Sequence, residues 1–289
     1  MSFFLSEIIS GLSMTSILLM ISLGLAIIYG TTGVINMAHG EFVMIGAYTS
    51  WILQTKFGMG LIASIIPIFL ITALMGFLIE RLIIRHLYNR LLDTILATWG
   101  IGVLLQQIIR LTIGSELKYL KIPTYMAEST TLFGQEVSIY RIFIFLFAVA
   151  IFFLAWFIIY RTSFGMKLRA VTQNKDMASS FGINSGMVYS STFAFGTGVA
   201  ALAGAFVAPL KSISPDMGTN YIIDAFMVVV LGGVESLIGT AASSLIIGES
   251  SSFLASFSND TLAKALVLIM IIVILRFKPQ GLFTKKIRS

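Results

Sequence analysis

The chain has 289 residues, of which 57% are hydrophobic and only 11% are charged, and its mean hydropathy is +0.96. Soluble domains carry about a quarter charged residues, so the composition excludes that class and predicts an all-α, polytopic transmembrane helical bundle of about 8 spans in one domain, 1–289. The absence of cysteine excludes disulfides and thiolate metal sites. The net charge of +6 fits basic cytosolic loops, and no basic stripe with interleaved aromatics suggests nucleic-acid binding.

The first span is predicted over Ile8–Ile28, and an irregular stretch at 29–41 follows it. Four glycines between Gly24 and Gly40 accompany Asn36, His39 and Glu41, which is typical of an interrupted membrane helix. Ionisable groups at membrane depth are candidates for a substrate pathway. The alternative is a short loop between two spans, and the sequence does not decide between the two.

Further spans are predicted at Leu61–Ile79, Ile95–Ile113 and Tyr140–Tyr160. In the second of these, Trp99, Gly102 and Gln106 are spaced to share a helix face, with glycine leaving room for a substrate. Trp99 and Gln106 therefore join the pathway candidates, although helix packing or an interfacial aromatic would explain either residue equally well.

A polar, basic island follows at 161–183, between two apolar runs. Read as one helix it is amphipathic, with an apolar face predicted to contain Phe164, Leu168, Val171, Ala178 and Phe181. Gly182 is expected to end this helix and Asn184 to cap the next one. The island is either a solvated cytosolic loop or a helix that a cytosolic partner binds.

The last third of the chain contains a span at Gly186–Leu210 with small residues at every fourth position from Gly196 to Ala208. Such a ridge lets another helix approach closely. Tyr221–Leu231 is too short to cross a bilayer, and Ser236–Phe257 is only weakly apolar, so the pair is predicted to be broken or re-entrant and to line a pathway through Asp224.

Basic clusters at 81–90, 161–175 and 276–288 are predicted to lie on one side of the membrane. Basic loops favour the cytosol, so the C-terminus, with Lys285, Lys286 and Arg288, is placed in the cytoplasm after a last span at Leu262–Leu275. The chain has no phosphate-binding loop of the GxxxxGK[ST] type, so we expect no ATP hydrolysis by this chain. An intramembrane enzyme would use Ser, Asp or His pairs, but no spacing of these residues favours one, so we expect a transport subunit and not an enzyme.

The segment GVINMAHGEFVMIGAY, at residues 33–48, resembles the signature of the branched-chain amino acid and urea permeases of ABC transporters, and Leu231-Gly232-Gly233-Val234 is similar to a segment of both. The run from Asp176 to Gly182 resembles the coupling loop of such permeases, with Asp and Met in place of the usual Glu and Ala. Glu235 departs from the family pattern, which leaves no role to assign to it. The resemblance implies a bacterial inner-membrane importer with a second homologous permease, two ATP-binding subunits and an extracytoplasmic substrate-binding protein.

By this resemblance, ATP would be bound by the partner subunits, this chain would hold no cofactor or metal, and energy would reach it through Arg169, Asp176, Ala178 and Gly182. Three stretches, beginning at Leu96, Arg169 and Pro215, are more similar to urea permeases, so urea is the first prediction for the substrate. Its pathway would use Asn36, His39, Glu41, Trp99, Gln106 and Asp224. The alternatives are a branched-chain amino acid permease and, in a different class, a passive channel for small amides.

Overall fold

The computed structural model describes residues 2–88, 90–132, 134–234 and 236–283. They form eleven α-helices, short 3-10 turns at Ile84–His86 and Thr124–Met126, and one antiparallel hairpin of two strands, β1 (Ser129–Leu132) and β2 (Gln135–Ser138). The helices are α1 (Ser2–Thr32), α2 (His39–Phe57), α3 (Leu61–Leu82), α4 (Leu91–Thr112), α5 (Ile139–Arg161), α6 (Ser163–Gln173), α7 (Lys175–Ser180), α8 (Ser185–Val207), α9 (Met217–Gly232), α10 (Leu237–Phe257) and α11 (Asp260–Phe277). The predicted all-α bundle is confirmed.

Six of the described helices are long and apolar enough to cross a membrane, by length and composition. These are Glu7–Thr32, Leu61–His86, Leu91–Thr112, Ile139–Arg161, Ser185–Val207 and Leu237–Phe257. Helices α2 and α11 have 19 and 18 residues and pack among them. Eight described helices therefore reach 18 residues, but only six of them are candidate spans against the predicted number of about 8, and α9 is shorter at 16 residues.

Helices α1 and α8 form the centre of the bundle, because each is apolar around its whole circumference and such a helix is stable only when it is surrounded. Helix α1 packs against α5, α8, α9 and α10, and α8 packs against α1, α2 and α3. The outer surface consists of exposed leucine, isoleucine and phenylalanine side chains on α3, α4, α5 and α11. An apolar surface of this extent is expected for a protein whose solvent is lipid.

The ridge of small residues on α8 makes the closest helix contacts, as predicted. A Cβ atom built on Gly196 would lie 2.6 Å from the backbone oxygen of Gly24 in α1, and one built on Gly204 would lie 1.9 Å from the oxygen of Val43 in α2. Ala200 and Ala208 are also buried. The absence of side chains at the two glycines lets α1 and α2 pack directly on the backbone of α8.

The prediction of a re-entrant pair at 221–257 is wrong for its second half. Helix α10 is a full-length candidate span of 21 residues, and α9 begins at Met217, four residues before the predicted start. Hydroxyl groups made this stretch look weakly apolar, but Thr240 donates to the Ser236 carbonyl at 3.1 Å and Ser244 to the Ala241 carbonyl at 2.8 Å. Hydroxyls bonded to their own helix do not need water, so the segment stays helical. Glu235, in the connection, lies outside the described residues.

The described parts of the three basic clusters lie at one end of the bundle, as predicted, and we call this the basic end. Tyr88 lies within the first cluster and its ring is 5.1 Å from that of Tyr189 in α8, while Lys175 of the second cluster lies 5.9 Å from the same Tyr189 ring. The segment after α11 returns to this end, where Leu282 donates a backbone hydrogen bond to the Leu231 carbonyl at 2.8 Å. Lys285, Lys286 and Arg288 lie outside the described residues.

The opposite end, which we call the hairpin end, carries β1 and β2 and the connection before α9. Lys118 and Ile213 exchange two backbone hydrogen bonds there, at 3.0 and 2.8 Å. The side chain of Lys118 also lies 5.5 Å from the centre of the Trp51 ring, near the end of α2. The chain therefore runs from the hairpin end to the basic end in α1, α3, α5, α9 and α11.

We predict that Gly204→Leu prevents stable assembly of the bundle. The new side chain would have to displace the α2 backbone at Val43, and overpacking of this kind costs about 1–3 kcal/mol or more. The amount of folded protein extracted from membranes, measured by fluorescence-detected gel filtration, should fall sharply. Gly100→Leu is the matched control, because no atom lies within 4 Å of a Cβ at Gly100. Equal yields for both variants would contradict the assigned packing.

Candidate functional site

A break of six residues, 33–38, separates α1 from α2. Gly33 leaves the helix with a φ of 67°, and Asn36 then builds the turn that starts α2. Its side-chain oxygen accepts a hydrogen bond from the Ala38 amide at 3.1 Å, and its carbonyl accepts one from the His39 amide at 3.1 Å. The predicted interruption is confirmed, but it is narrower than 29–41, since α1 continues to Thr32 and α2 begins at His39.

The break lies deep inside the bundle, because α2 begins beside the middle of α1. The Nε2 atom of His39 donates to the backbone carbonyl of Ile21 at 3.0 Å, a carbonyl being an acceptor only. Ile21 precedes the end of α1 by eleven residues, or about 16 Å of helix at 1.5 Å per residue. Asn36 and His39 are both fully buried. The chain therefore turns back into the protein before α2 starts, and does not form a loop at the surface.

Thr98 of α4 satisfies the backbone of this break. Its hydroxyl oxygen accepts a hydrogen bond from the Met37 amide at 3.1 Å, and its side chain is fully buried. Sequence reasoning missed Thr98 and chose Trp99, whose side chain is 61% exposed on the outer side of α4. A pattern in the sequence could have identified Thr98. Small or polar residues recur every fourth position at Thr94, Thr98, Gly102 and Gln106, and they lie on one helix face.

Glu41 is the carboxylate around which α2, α4 and α9 meet. Its Oε1 atom accepts a hydrogen bond from Gln106 Nε2 at 2.9 Å and lies 3.5 Å from the hydroxyl of Thr219. The residue is only 4% exposed. Gly218 leaves the space for this carboxylate, since a Cβ at that position would lie 2.6 Å from Oε2. The structure thus joins Glu41 to Gln106, with Asn36, His39 and Thr98 at the adjacent start of α2, and we call these five residues the break cluster.

The break cluster holds unused hydrogen-bonding capacity of both kinds. Among the described residues, no partner contacts Asn36 Nδ2, His39 Nδ1 or Glu41 Oε2, although all three atoms are buried. A buried polar atom without a partner costs about 1–3 kcal/mol, so its presence calls for an explanation. An amide donor and a carboxylate acceptor within one cluster suit a small ligand that both donates and accepts hydrogen bonds.

Asp224 lies apart from the break cluster, which corrects its predicted pairing with Gln106. Its Oδ2 atom accepts a hydrogen bond from Lys264 Nζ in α11 at 2.7 Å, and its side chain is almost fully buried. Asp224 is also seven residues after the start of α9, two turns rather than the predicted one. Five residues separate Thr219 from Asp224, about 140° around the helix, so they face different neighbours. Gln106 already donates to Glu41, which the sequence did not reveal.

The island at 161–183 forms two helices, so the single predicted helix is wrong. Asn174 ends α6 and its side chain caps α7, accepting a hydrogen bond from the Met177 amide at 2.9 Å. An asparagine side chain stabilises a helix start, so the sequence favours a new helix at this point. The restart changes the helical phase: Leu168, Val171 and Ala178 are buried as predicted, whereas Phe181 is 80% exposed.

The two predicted caps, Gly182 and Asn184, are both present where the island ends and α8 begins. Gly182 has a φ of 80° and its amide donates to the Ser179 carbonyl at 2.9 Å, and the Asn184 side chain accepts from the Met187 amide at 3.0 Å to start α8. Arg169 holds α6 against the bundle, because its guanidinium donates to the Ile159 carbonyl and stacks 5.7 Å from the Tyr160 ring centre. Asp176 is exposed in the first turn of α7.

A second buried carboxylate joins the island to the spans at the basic end. Glu80 of α3 is fully buried and accepts hydrogen bonds from the Tyr88 hydroxyl at 2.5 Å and from the Ser190 hydroxyl of α8. Burial and this hydrogen bond raise the pKa of Tyr88 well above its usual range, so its hydroxyl remains a donor. Since Tyr88 packs on Tyr189 and Tyr189 contacts Lys175, the island is in continuous contact with α3 and α8.

Apolar helices of membrane-spanning length, a buried polar break and a two-helix island at one end define a polytopic membrane protein of the transporter class. Residues 7–275 match the family described as the branched-chain amino acid transport system permease component, and the chain belongs to this family. No solved structure matches the chain significantly.

Two kinds of relative within this family match most of the chain. It is 30% identical to the high-affinity branched-chain amino acid transport system permease protein BraD of Pseudomonas aeruginosa, over 96% of this chain and 95% of BraD. It is also 30% identical to LivH of Escherichia coli, over 94% of each chain. LivM of the same organism is 25% identical, over 93% of this chain and 68% of LivM, and both carry the same description as BraD.

We predict that Thr98→Val destabilises the break while leaving α4 intact. Valine has nearly the same shape but leaves the partly buried Met37 amide without its acceptor, at a cost of about 1–3 kcal/mol. The thermal unfolding midpoint of the purified chain should fall by several degrees. Thr98→Ser keeps the hydroxyl and should retain most of the stability. If the two variants unfold at the same temperature, Thr98 does not support the break.

Proposed function

We propose that this chain is the permease subunit of an ABC importer for branched-chain amino acids, and that residues 1–289 act as one transmembrane domain. Family membership and the descriptions of BraD, LivH and LivM support this substrate class. Urea, which the sequence favoured first, has no support among these relatives. A bacterial inner-membrane location with the C-terminus in the cytoplasm fits the apolar spans and the basic end.

The buried carboxylate of Glu41 is the observation that carries the choice of an amino acid over urea. At neutral pH an amino acid has an ammonium group, which can pair with the unused Oε2 atom and offset the cost of burying that charge. The unused amide of Asn36 can donate to the substrate carboxylate. Urea is neutral and would leave the carboxylate without an opposite charge. Glu41 is thus proposed to bind the substrate ammonium.

The break cluster reaches the surface of the bundle along α4 and α9, where a second homologous permease is proposed to bind. Trp99 and Val103 of α4 are exposed on one side of Gln106, and Ile223 and Phe226 of α9 are exposed beyond Thr219. A polar substrate cannot be exposed to lipid, so its route needs a second protein surface against α4 and α9. The match to both LivH and LivM, two homologous permeases of one organism, is consistent with such a pair.

The island is proposed to bind one of two ATP-binding subunits, which would supply the energy, while an extracytoplasmic substrate-binding protein delivers the substrate at the hairpin end. Met177 and Phe181 expose 60% and 80% of their surfaces beside the charged Lys175 and Asp176. Exposed apolar side chains ringed by polar ones are typical of a protein interface. A passive channel would need no such surface.

The substrate is tested by uptake of radiolabelled leucine and urea in a strain that lacks the gene, with and without the gene restored. We expect restored, ATP-dependent leucine uptake and no change in urea uptake. Restored urea uptake without leucine uptake would overturn the proposal in favour of urea. Uptake that continues after ATP depletion would instead indicate a passive channel.

We predict that Glu41→Gln reduces leucine uptake at least about tenfold, the equivalent of 1.4 kcal/mol of lost substrate binding. Glutamine keeps the size and the acceptor for Gln106 but removes the negative charge. Uptake should be normalised to the amount of folded transporter in the membrane. Glu116→Gln is the matched control, since the Glu116 side chain is 86% exposed at the hairpin end. Unchanged leucine uptake in Glu41→Gln would exclude an ammonium site there.

We predict that Gly182→Val uncouples ATP hydrolysis from transport without removing the protein from the membrane. The φ of 80° costs a β-branched residue about 1–3 kcal/mol, so the turn between α7 and α8 must change. No atom lies within 4 Å of a Cβ at Gly182, so the effect is conformational and not steric. Gly182→Asn, which tolerates this conformation, should remain coupled. The ratio of leucine uptake to ATP hydrolysis is measured in proteoliposomes. A normal ratio for Gly182→Val would refute the coupling role of this turn.

A further inference from the structure

A cavity of about 480 Å³ opens at the hairpin end, on the side of α9 away from the break cluster. Its walls come from α1, α9, the first turns of α11 and the connection 211–214. This volume lies within the range of about 300–1,000 Å³ that is common for small-molecule sites. Nothing in the proposed pathway uses this cavity.

The polar part of the cavity contains two lysines and two aspartates. Asp224 and Lys264 form an ion pair of 2.7 Å at its buried side. Lys211 and Asp260 also line it, and both are exposed. Among the described residues neither of these two forms an ion pair within 4 Å, although the charge of Lys211 also acts on Asp224. The cavity therefore offers one cation and one anion that can each pair directly with a ligand.

The apolar part of the cavity is formed by Met14 of α1 and by Met217 and Tyr221 of α9. Met217 and Tyr221 are buried, and Met14 is half-buried. Methionine side chains are flexible and adapt to aliphatic groups of different shapes. An aliphatic group bound here would lie against apolar atoms, while polar groups on the same molecule would reach the two unpaired charges.

We propose that this cavity binds an aliphatic α-amino acid as a zwitterion. The amino acid carboxylate pairs with Lys211, its ammonium pairs with Asp260, and its side chain packs against Met14 and Met217. Urea has no aliphatic group and no charge, and a free anion would leave Asp260 without a partner. This inference rests on the proposed amino acid substrate, and it adds a site at the hairpin end distinct from Glu41.

The absence of native cysteine allows a direct test of occupancy that does not require transport. Ser212→Cys places a thiol in the cavity wall, and Ser129→Cys places one on β1 at the same end, outside the cavity. The full chain, with its partner subunits but without the binding protein, is labelled with a maleimide in membrane vesicles. Leucine at ten times its dissociation constant should slow labelling of Ser212→Cys about tenfold, since only the empty fraction reacts. Urea should not, and Ser129→Cys should be unaffected by either.

Charge variants distinguish a zwitterion site from general closure of the cavity. In the Ser212→Cys background, Lys211→Glu and Asp260→Lys should each abolish protection by leucine, and the two changes together should restore it. Protection that survives both single changes would overturn the assignment of the two charges. Leucine that slows labelling of neither cysteine, in vesicles that take up leucine, would overturn the site and leave the proposed function standing. Protection without any leucine uptake would support the site and contradict the proposed function.

Discussion

The requirement that backbone polar groups be satisfied inside the bundle is the constraint on which this structure depends. Helix α1 ends at Thr32 and the chain turns back to start α2 beside Ile21, so the irregular backbone passes from the exposed Gly33 into the interior at Asn36. The side-chain oxygens of Thr98 and Asn36 accept hydrogen bonds from the Met37 and Ala38 amides, in place of the acceptors that a helix or water would supply. The polar side chains of this region are therefore required first for folding, and they bring a carboxylate into the interior as a consequence.

That carboxylate explains why a single permease chain presents a polar site on an otherwise apolar surface. Glu41 contacts helices α4 and α9, which are far apart in sequence, through Gln106 and Thr219. Any relative movement of α4 and α9 changes the environment of Glu41, because the same oxygen bonds to both helices. The proposed substrate route would therefore use the same contacts that pack the helices, so a shift in helix position would open or close it.

At the basic end, the island is attached by contacts that are more rigid than the sequence suggests. Arg169 binds the end of α5, and the chain of contacts from Lys175 through Tyr189 and Tyr88 reaches Glu80 in α3. These contacts connect α7 to α3 and α8, and α8 packs against α1 and α2 on the two sides of the break. The exposed Met177 and Phe181 remain available on the outer side of this attachment.

The sequence alone was sufficient for features set by composition and by local backbone chemistry. Apolar length predicted the spans, the fourfold spacing from Gly196 to Ala208 predicted the close helix contact, and Gly182 and Asn184 predicted the two caps. It also located the break near Asn36, His39 and Glu41. These features depend on residues within one or two turns of each other, so a single chain segment contains the information.

Only the tertiary structure decided which polar residues meet. Whether Trp99 or Thr98 faces the break depended on the rotation of α4 about its axis. The separation of Asp224 from Gln106 depended on its ion pair with Lys264, forty residues away. The exposure of Phe181 depended on the start of a new helix after Asn174. The full length of α10 depended on hydroxyl groups that donate hydrogen bonds to carbonyls of the same helix. In each case a hydrogen bond or an ion pair decided where the residue or helix lies. The residue pattern of one segment does not contain the geometry of that interaction. Hydrophobic periodicity specifies which face of a helix is buried, whereas polar contacts require the relative positions of several helices.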